Sequence, residues 1–536
     1  MNKFYAKHKN KIMLAYTFAF FIYLLIWSIL KPYNYGPDEY HRFPAYYYVF
    51  IHNYLPSGWL EEIRNPIWGF SYAFLFTWLP GLCSVLCMKI SSLFFHTPSS
   101  VLIAARFPGV IMGTLCVFLI FKILDAVLED EKTKWVVTIL VTSIPQFAFI
   151  SSYVNNDIFA LAGTFLILYS WVIILKKKEW NVWQSFIMAG GIFIVVLSYY
   201  NAYGWILCSL IFAAYYAYKY KKYKDKFFWC QLIIVSTIAI CSTAYFWIRN
   251  IIIYDGDMFG LKTMLDSCEM YAWESIKPSN RSTPRSSGIS LLSLAFNPAY
   301  IKTLFLSFIG LFGYMEFGLR GFVYLLYLLA LATGIIFSLV GIIIKTVTDK
   351  KCNSIDNKNN NIDKNKDNNI AADRYKNCNT IINLPVYMLL FLSAFIVCAL
   401  TLYNSWNNDY SPQGRYLYPA LPSLVLILGI GYEYLFTLIK RVFIRIISNN
   451  NSNNNSNKNT KNISKNNELS DEKYELIFNR IKSILCVSFS VIFLSVSLYS
   501  FATVYVPSKA AVGEGDPTPE QTLENLINTM NSDAGQ

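Results

Sequence analysis

The sequence predicts an all-α polytopic membrane protein, and three observations define that class. Of its 536 residues 55% are hydrophobic and only 15% charged, where soluble domains average about 25% charge. Mean hydropathy is +0.36. The apolar residues also gather into runs of about 20, the length that crosses a hydrocarbon core of about 30 Å at 1.5 Å per helical residue. A soluble enzyme and a disordered chain are both excluded by this composition.

Charge and motif content narrow the class further. The 46 Lys and Arg outnumber the 33 Asp and Glu, but the basic residues sit in short clusters between apolar runs, so they record membrane orientation rather than a nucleic-acid surface. Most of the 11 cysteines, such as Cys83, Cys116 and Cys241, lie inside apolar runs and do not form a disulfide framework. No C-x-x-C pair, H-E-x-x-H helix or G-x-x-x-x-G-K loop is present, which speaks against a zinc hydrolase and against nucleotide hydrolysis. The first apolar run follows Lys3, Lys7, Lys9 and Lys11 and lacks a small-residue cleavage site, so it reads as a retained helix.

Thirteen apolar runs are candidates: 12–30, 70–90, 101–121, 136–152, 158–175, 183–200, 204–218, 228–248, 301–317, 320–344, 384–402, 416–438 and 481–503. If all crossed, the N-terminal lysines and the cluster Lys176 to Lys178 would face opposite sides. The positive-inside rule places both in the cytoplasm, so one run between them does not cross. Run 70–90 is interrupted by Pro80 and Gly81 and given an interfacial character by Trp68 and Trp78, which suits a juxtamembrane helix lying on the outer face. The same argument removes 301–317, which carries Gly310, Gly313 and Glu316. About 11 transmembrane helices remain, with the N-terminus cytoplasmic.

The domain plan follows. Residues 1–345 form a catalytic membrane core with external loops 31–69 and 249–300. Residues 346–383 and 439–478, rich in Asn, Lys and Ser, bury too little apolar surface to fold and read as disordered cytoplasmic loops. Between them, 384–438 are C-terminal membrane helices. Residues 479–503 form the last transmembrane helix and 504–536 an external acidic tail. A transporter of the repeat type would show matched halves with broken helices, and no such pair is evident.

The polar residues that could do chemistry fall on the outer side. The first external loop begins Gly36-Pro37-Asp38-Glu39-Tyr40-His41-Arg42. Two adjacent carboxylates there could supply a general base for an acceptor arriving from outside, or the aspartate could cap the next helix. Asp157, in Tyr153-Val154-Asn155-Asn156-Asp157, carries the same two readings. Arg249-Asn250 with Asp257, and Gln413-Gly414-Arg415-Tyr416, bring guanidinium groups that suit a phosphate, or that anchor helix ends at the membrane boundary. Acids and arginines from distant parts of the chain thus share one face. That combination fits transfer from a lipid-phosphate donor, since nucleotide donors stay in the cytoplasm.

In order and spacing these motifs resemble the GT-C superfamily of integral-membrane glycosyltransferases, which includes protein O-mannosyltransferases and lipid A aminoarabinose transferases. They are most similar to a bacterial branch with P-D-E-x-x-H and Q-G-R-Y motifs, over about the first 440 residues. The resemblance implies that Asp38 is the general base, with Glu39 and Asp157 positioning it or holding a divalent cation, Mg or Mn. His41, Arg42, Arg249, Asn250, Asp257, Gln413, Arg415 and Tyr416 would bind the substrates, Arg415 holding the lipid phosphate, with Arg249 a second candidate for the same role. The implied reaction moves a sugar from a polyprenyl-phosphate donor, with inversion, to a cell-envelope glycan, lipid or protein at the plasma membrane. The alternatives are a polysaccharide polymerase or ligase using diphosphate-linked donors, and a lipid or polymer transporter without chemistry.

Overall fold

The computed structural model describes residues 3–356, 382–454, 463–508 and 518–534. The described chain is all-α apart from one two-stranded hairpin, Leu311–Phe312 with Phe317–Gly318, in which Leu311 faces Gly318 and Phe312 faces Phe317. Eight of its helices are long and apolar enough to cross a membrane. They are α1 (Lys3–Leu30), α4 (Pro98–Val127), α7 (Asp157–Lys177), α10 (Lys226–Ile253), α14 (Gly321–Asp356), α15 (Leu384–Asn407), α16 (Leu421–Asn454) and α17 (Ile463–Ser500).

The other three predicted spans fall on shorter elements. Run 136–152 is divided into α5 (Glu131–Thr142) and α6 (Pro145–Ile150), because a proline lacks the N–H that would continue the helix. Runs 183–200 and 204–218 fall on α8 (Val182–Val196) and α9 (Gly204–Lys219), joined by the tight turn Tyr200–Ala202. The two excluded runs fold as short helices, α3 (Leu79–Ser91) and α13 (Pro298–Gly310). Within run 70–90 the stretch ahead of α3 carries a 3-10 turn, Tyr72–Phe74.

Of the two loops predicted to be disordered, 346–356, 439–454 and 463–478 are helical, and Ile382 and Asn383 are not. α14 continues to Asp356, α16 to Asn454, and α17 starts at Ile463, since an amphipathic continuation of an anchored helix needs no new nucleus. Residues 357–381 and 455–462 lie outside the described residues.

α1 fixes the two ends of the bundle. At its start, Lys9 pairs with Asp125 and, at 2.8 Å, with Glu131, while Lys134 meets both acids at 2.8 Å. At the far end of its 28 residues, about 42 Å in all, α1 delivers the chain into α2 (Glu39–His52). The first and second loops of this end are packed together: Ser267 donates to the carbonyl of Gly69 at 2.7 Å, and Tyr254 to that of Ala73 at 3.2 Å. The acidic tail forms a last helix, α18 (Pro519–Ala534), which lies against α2 and α4 and buries Leu523, Ile527 and Met530.

Candidate active site

Asp38 sits one residue before α2 with φ 69°, in the left-handed region, and its side chain makes no capping bond to that helix. A residue other than glycine held there is strained unless the surroundings fix it. What fixes it is Arg415, whose Nη2 donates to Asp38 Oδ2 at 2.8 Å. The same guanidinium reaches Asp157 Oδ2 at 3.5 Å and donates to the Tyr153 hydroxyl at 3.1 Å and to the Tyr416 hydroxyl at 3.2 Å. Gln413 accepts from its Nε at 2.6 Å. Asp157 is likewise not a cap, because Asn155 Oδ1 accepts from the N–H of Ile158. The capping alternative is therefore not realised for either acid, and Arg415, 3% exposed, is no boundary anchor.

Two glycines make this convergence possible. A Cβ at Gly36 would collide with the ring of Tyr153, and one at Gly414 with the backbone of Phe308. Each brings a motif into direct contact with a neighbouring element. Asn156 ties a third side, donating to the carbonyl of Ser198 at 2.7 Å.

Glu39 does not join the site. Its carboxylate is fully buried and held by Arg106 through a two-pronged contact of 2.8 and 2.6 Å. Arg106 also donates to the carbonyls of Ser28, Lys31 and Pro32 at 3.0, 2.6 and 2.9 Å, so its five N–H donors are all engaged. The N–H of Val154 donates to Glu39 Oε1 at 3.1 Å. Glu39 thereby locks the end of α1, the start of α2 and the turn before Asp157 into one unit, turned away from the group around Arg415. Sequence reasoning passed over Arg106, although a charge inside an apolar run calls for a partner.

Arg249, Asn250 and Asp257 also stand apart. Arg249 donates to the carbonyl of Pro56 at 2.5 Å, and Asn250 to that of Phe74 at 3.0 Å. Asp257 accepts from the N–H groups of Gly260 and Thr263 at 3.0 and 2.8 Å and so starts α11 (Leu261–Tyr271). All three build the wall between the loops at this end of the bundle, and none lines the cavity described next.

A cavity of about 180 Å³ opens beside Asp38. Asp38, Arg42, Asp157, Asn156 and Tyr416 give it a polar side, and Phe70, Phe76, Phe259 and Met264 an apolar one. Arg415 lies behind Asp38 and is not among the lining residues, whereas Arg42 is. Tyr72, Tyr199 and Tyr200 also line it; only tertiary packing brings these tyrosines there, so no spacing in the sequence announces them.

Burial alone would raise the Asp38 carboxyl, but Arg415, Arg42 and His41 outweigh it and hold its pKa down to about 2. His41 is shifted down from its ordinary value, by burial first, with Asp38 opposing and Arg42 reinforcing. Its Nδ1 meets Asn65 Nδ2. Asn65 Oδ1 is fixed by the N–H groups of Ile67 and Trp68 at 2.9 and 2.7 Å, so the amide must present its NH₂ to the ring. Nδ1 is then an acceptor, which agrees with a neutral imidazole. His41 faces a second, smaller cavity with Glu62, Arg64 and Leu526.

Asp38, Glu39 and Asp157 do not converge as a metal site. Glu39 is turned to Arg106 and the two aspartates to Arg415. Among the described residues no three His, Cys, Asp or Glu side chains gather in a way that could hold an ion.

No family model matches the chain, and no curated protein does. Among solved structures, it is similar to ArnT from Cupriavidus metallidurans bound to undecaprenyl phosphate, with TM-score 0.43 and 10% identity over 99% of this chain and 77% of that one. The apo state of the same protein gives TM-score 0.45, 10% identity and 99% and 76% coverage. The oligosaccharyltransferase AglB from Archaeoglobus fulgidus, in complex with an inhibitory peptide and a dolichol-phosphate, gives TM-score 0.44 and 13% identity over 97% of this chain and 60% of that one.

Proposed function

We propose that this protein is a membrane glycosyltransferase of the GT-C type, moving a sugar from a polyprenyl-phosphate donor to a cell-envelope acceptor on the outer face of the plasma membrane. The observation that carries the reading is that Asp38 and Asp157 line one cavity together with Arg42 while Arg415 pairs with both acids from behind, all at the end of α1 remote from its lysines. A carboxylate, a cation and a pocket half apolar and half polar are what transfer from an amphipathic phosphate donor needs.

In this reading the acceptor hydroxyl oxygen bonds to the anomeric carbon as the bond from that carbon to the phosphate oxygen breaks, its electron pair leaving with the phosphate. The hydroxyl proton passes to Asp38. A carboxyl held near pKa 2 is a weak base towards a resting alcohol. It accepts the proton once the oxygen gains positive charge on bonding to carbon, which ties proton transfer to a late point of the step. Attack opposite the leaving phosphate inverts the anomeric centre. Arg415 keeps Asp38 ionised and aimed.

The test is transfer by purified protein offered a polyprenyl-monophosphate sugar and, separately, a diphosphate-linked oligosaccharide. Turnover of the first with release of polyprenyl phosphate supports the reading. Turnover of the second alone would make the protein a polymerase or ligase. Movement of lipid between leaflets without release of free carrier phosphate would make it a transporter.

A further inference from the structure

The arginine aligned by motif with donor binding is Arg415, yet both carboxylates of the site are turned to it. Arg42 is differently placed. It is 7% exposed and lines the cavity, and among the described residues it makes no ion pair within 4 Å. Its Nε is buried without a hydrogen-bond partner. The guanidinium carbon lies 3.8 Å from the centre of the Tyr72 ring and the Tyr46 hydroxyl is a hydrogen-bonding neighbour of the same group, which leaves the other donors of the fork for a ligand.

A buried cation with an unmet donor is costly in an empty site and favourable once an anion arrives. The planar fork can give two parallel N–H donors to two oxygens of one phosphate. Stacking on Tyr72 holds the plane in place without using those donors. Helix α2 carries Arg42 one turn after Asp38, so a phosphate on Arg42 stands beside the base on the same cavity wall.

Resting on the transferase reading above, we infer that Arg42, rather than Arg415, is the ligand of the donor's phosphate, and that Arg415 is a positioning residue for Asp38. The leaving phosphate gathers charge as the anomeric bond breaks, and Arg42 is the cation placed to receive it.

The experiment is titration of sugar-free polyprenyl monophosphate into the full-length protein, with thermal unfolding of each variant as the fold control. Arg42→Gln is expected to weaken this binding at least about tenfold, by loss of a charge-assisted fork worth roughly 1.5–3 kcal/mol. Arg42→Lys keeps the charge but not the fork and should fall between. Arg415→Gln should bind the lipid nearly as the wild type does while losing turnover. Should Arg42→Gln and Arg42→Lys bind it like the wild type, or Arg415→Gln alone lose it, the assignment is overturned, and Arg42 would instead face a charged sugar or acceptor. If the wild type binds the lipid but no polyprenyl donor is ever turned over, the transferase reading fails and the anion site stands. If the wild type does not bind it, both fall.

Discussion

Asp38 and Arg415, 377 residues apart in the chain, meet at 2.8 Å, and their contact is the joint on which the cavity is built. It links the loop between α1 and α2 to the entry of α16, and through Asp157 it takes in the start of α7 as well.

Removing the base tests the chemistry without removing the joint's shape. Asp38→Asn should lower transfer by a factor of about 10² to 10⁴, the usual contribution of a positioned general base, with insertion and abundance unchanged. The measurement is sugar released from a polyprenyl-monophosphate donor, alongside the yield of folded protein in detergent. Normal transfer by the mutant would defeat the assignment.

Glu39 should behave in the opposite way from its neighbour. The Glu39–Arg106 pair is buried on both sides, and breaking a pair so enclosed costs about 3–5 kcal/mol. Arg106→Met should therefore depress the thermal unfolding midpoint more than Asp38→Asn does. A melting curve equal to that of the wild type would show that this clamp does not hold the loop.

Acid should weaken the fold through His41. Its folded pKa lies below its unfolded value, so the unfolded chain binds the extra proton. The stabilisation is complete above the unfolded value of about 6.5 and is lost as pH falls through it towards the folded one. Asp38 is also depressed, so its contribution is present above the unfolded value of about 3.9 and fades only towards the folded value of about 2. Unfolding followed between pH 7 and 5 should show a decline that His41→Gln flattens; an unchanged slope in that variant would assign the decline to another group.

The tail helix should contribute stability although it carries none of the proposed chemistry. Leu523, Ile527 and Met530 are buried under α18, and Tyr47 donates to Asn531 Oδ1 at 3.2 Å. Ile527→Asp should cost on the order of 1.5–3 kcal/mol from lost apolar burial and free the helix for proteolysis. Limited digestion of the variant beside the wild type would show it, and equal protection would mean that the helix is held by other contacts.

Much of the fold was legible because the hydrocarbon thickness imposes a local rule: a stretch of about 20 apolar residues, tested one window at a time. That rule and the placement of lysines separated runs 70–90 and 301–317, which fold as short helices, from the long spans. It could not divide 136–152 at Pro145, since periodicity does not reveal where a helix must break to seat its neighbours.

The identity of the acids and arginines at the cavity end was likewise written in the chain, but their division of labour was not. Asp38 and Glu39 are adjacent and chemically alike, yet one faces Arg415 and the other Arg106. Consecutive residues at a helix start point about 100° apart, so which acid meets which cation depends on elements far away in sequence. For the same reason Arg249 proved to clamp a loop and Arg42 to face the cavity. Sequence by itself set the spans, their ends and the charged groups available there; only packing among distant helices decided which charges neutralise one another and which one is left open to a ligand.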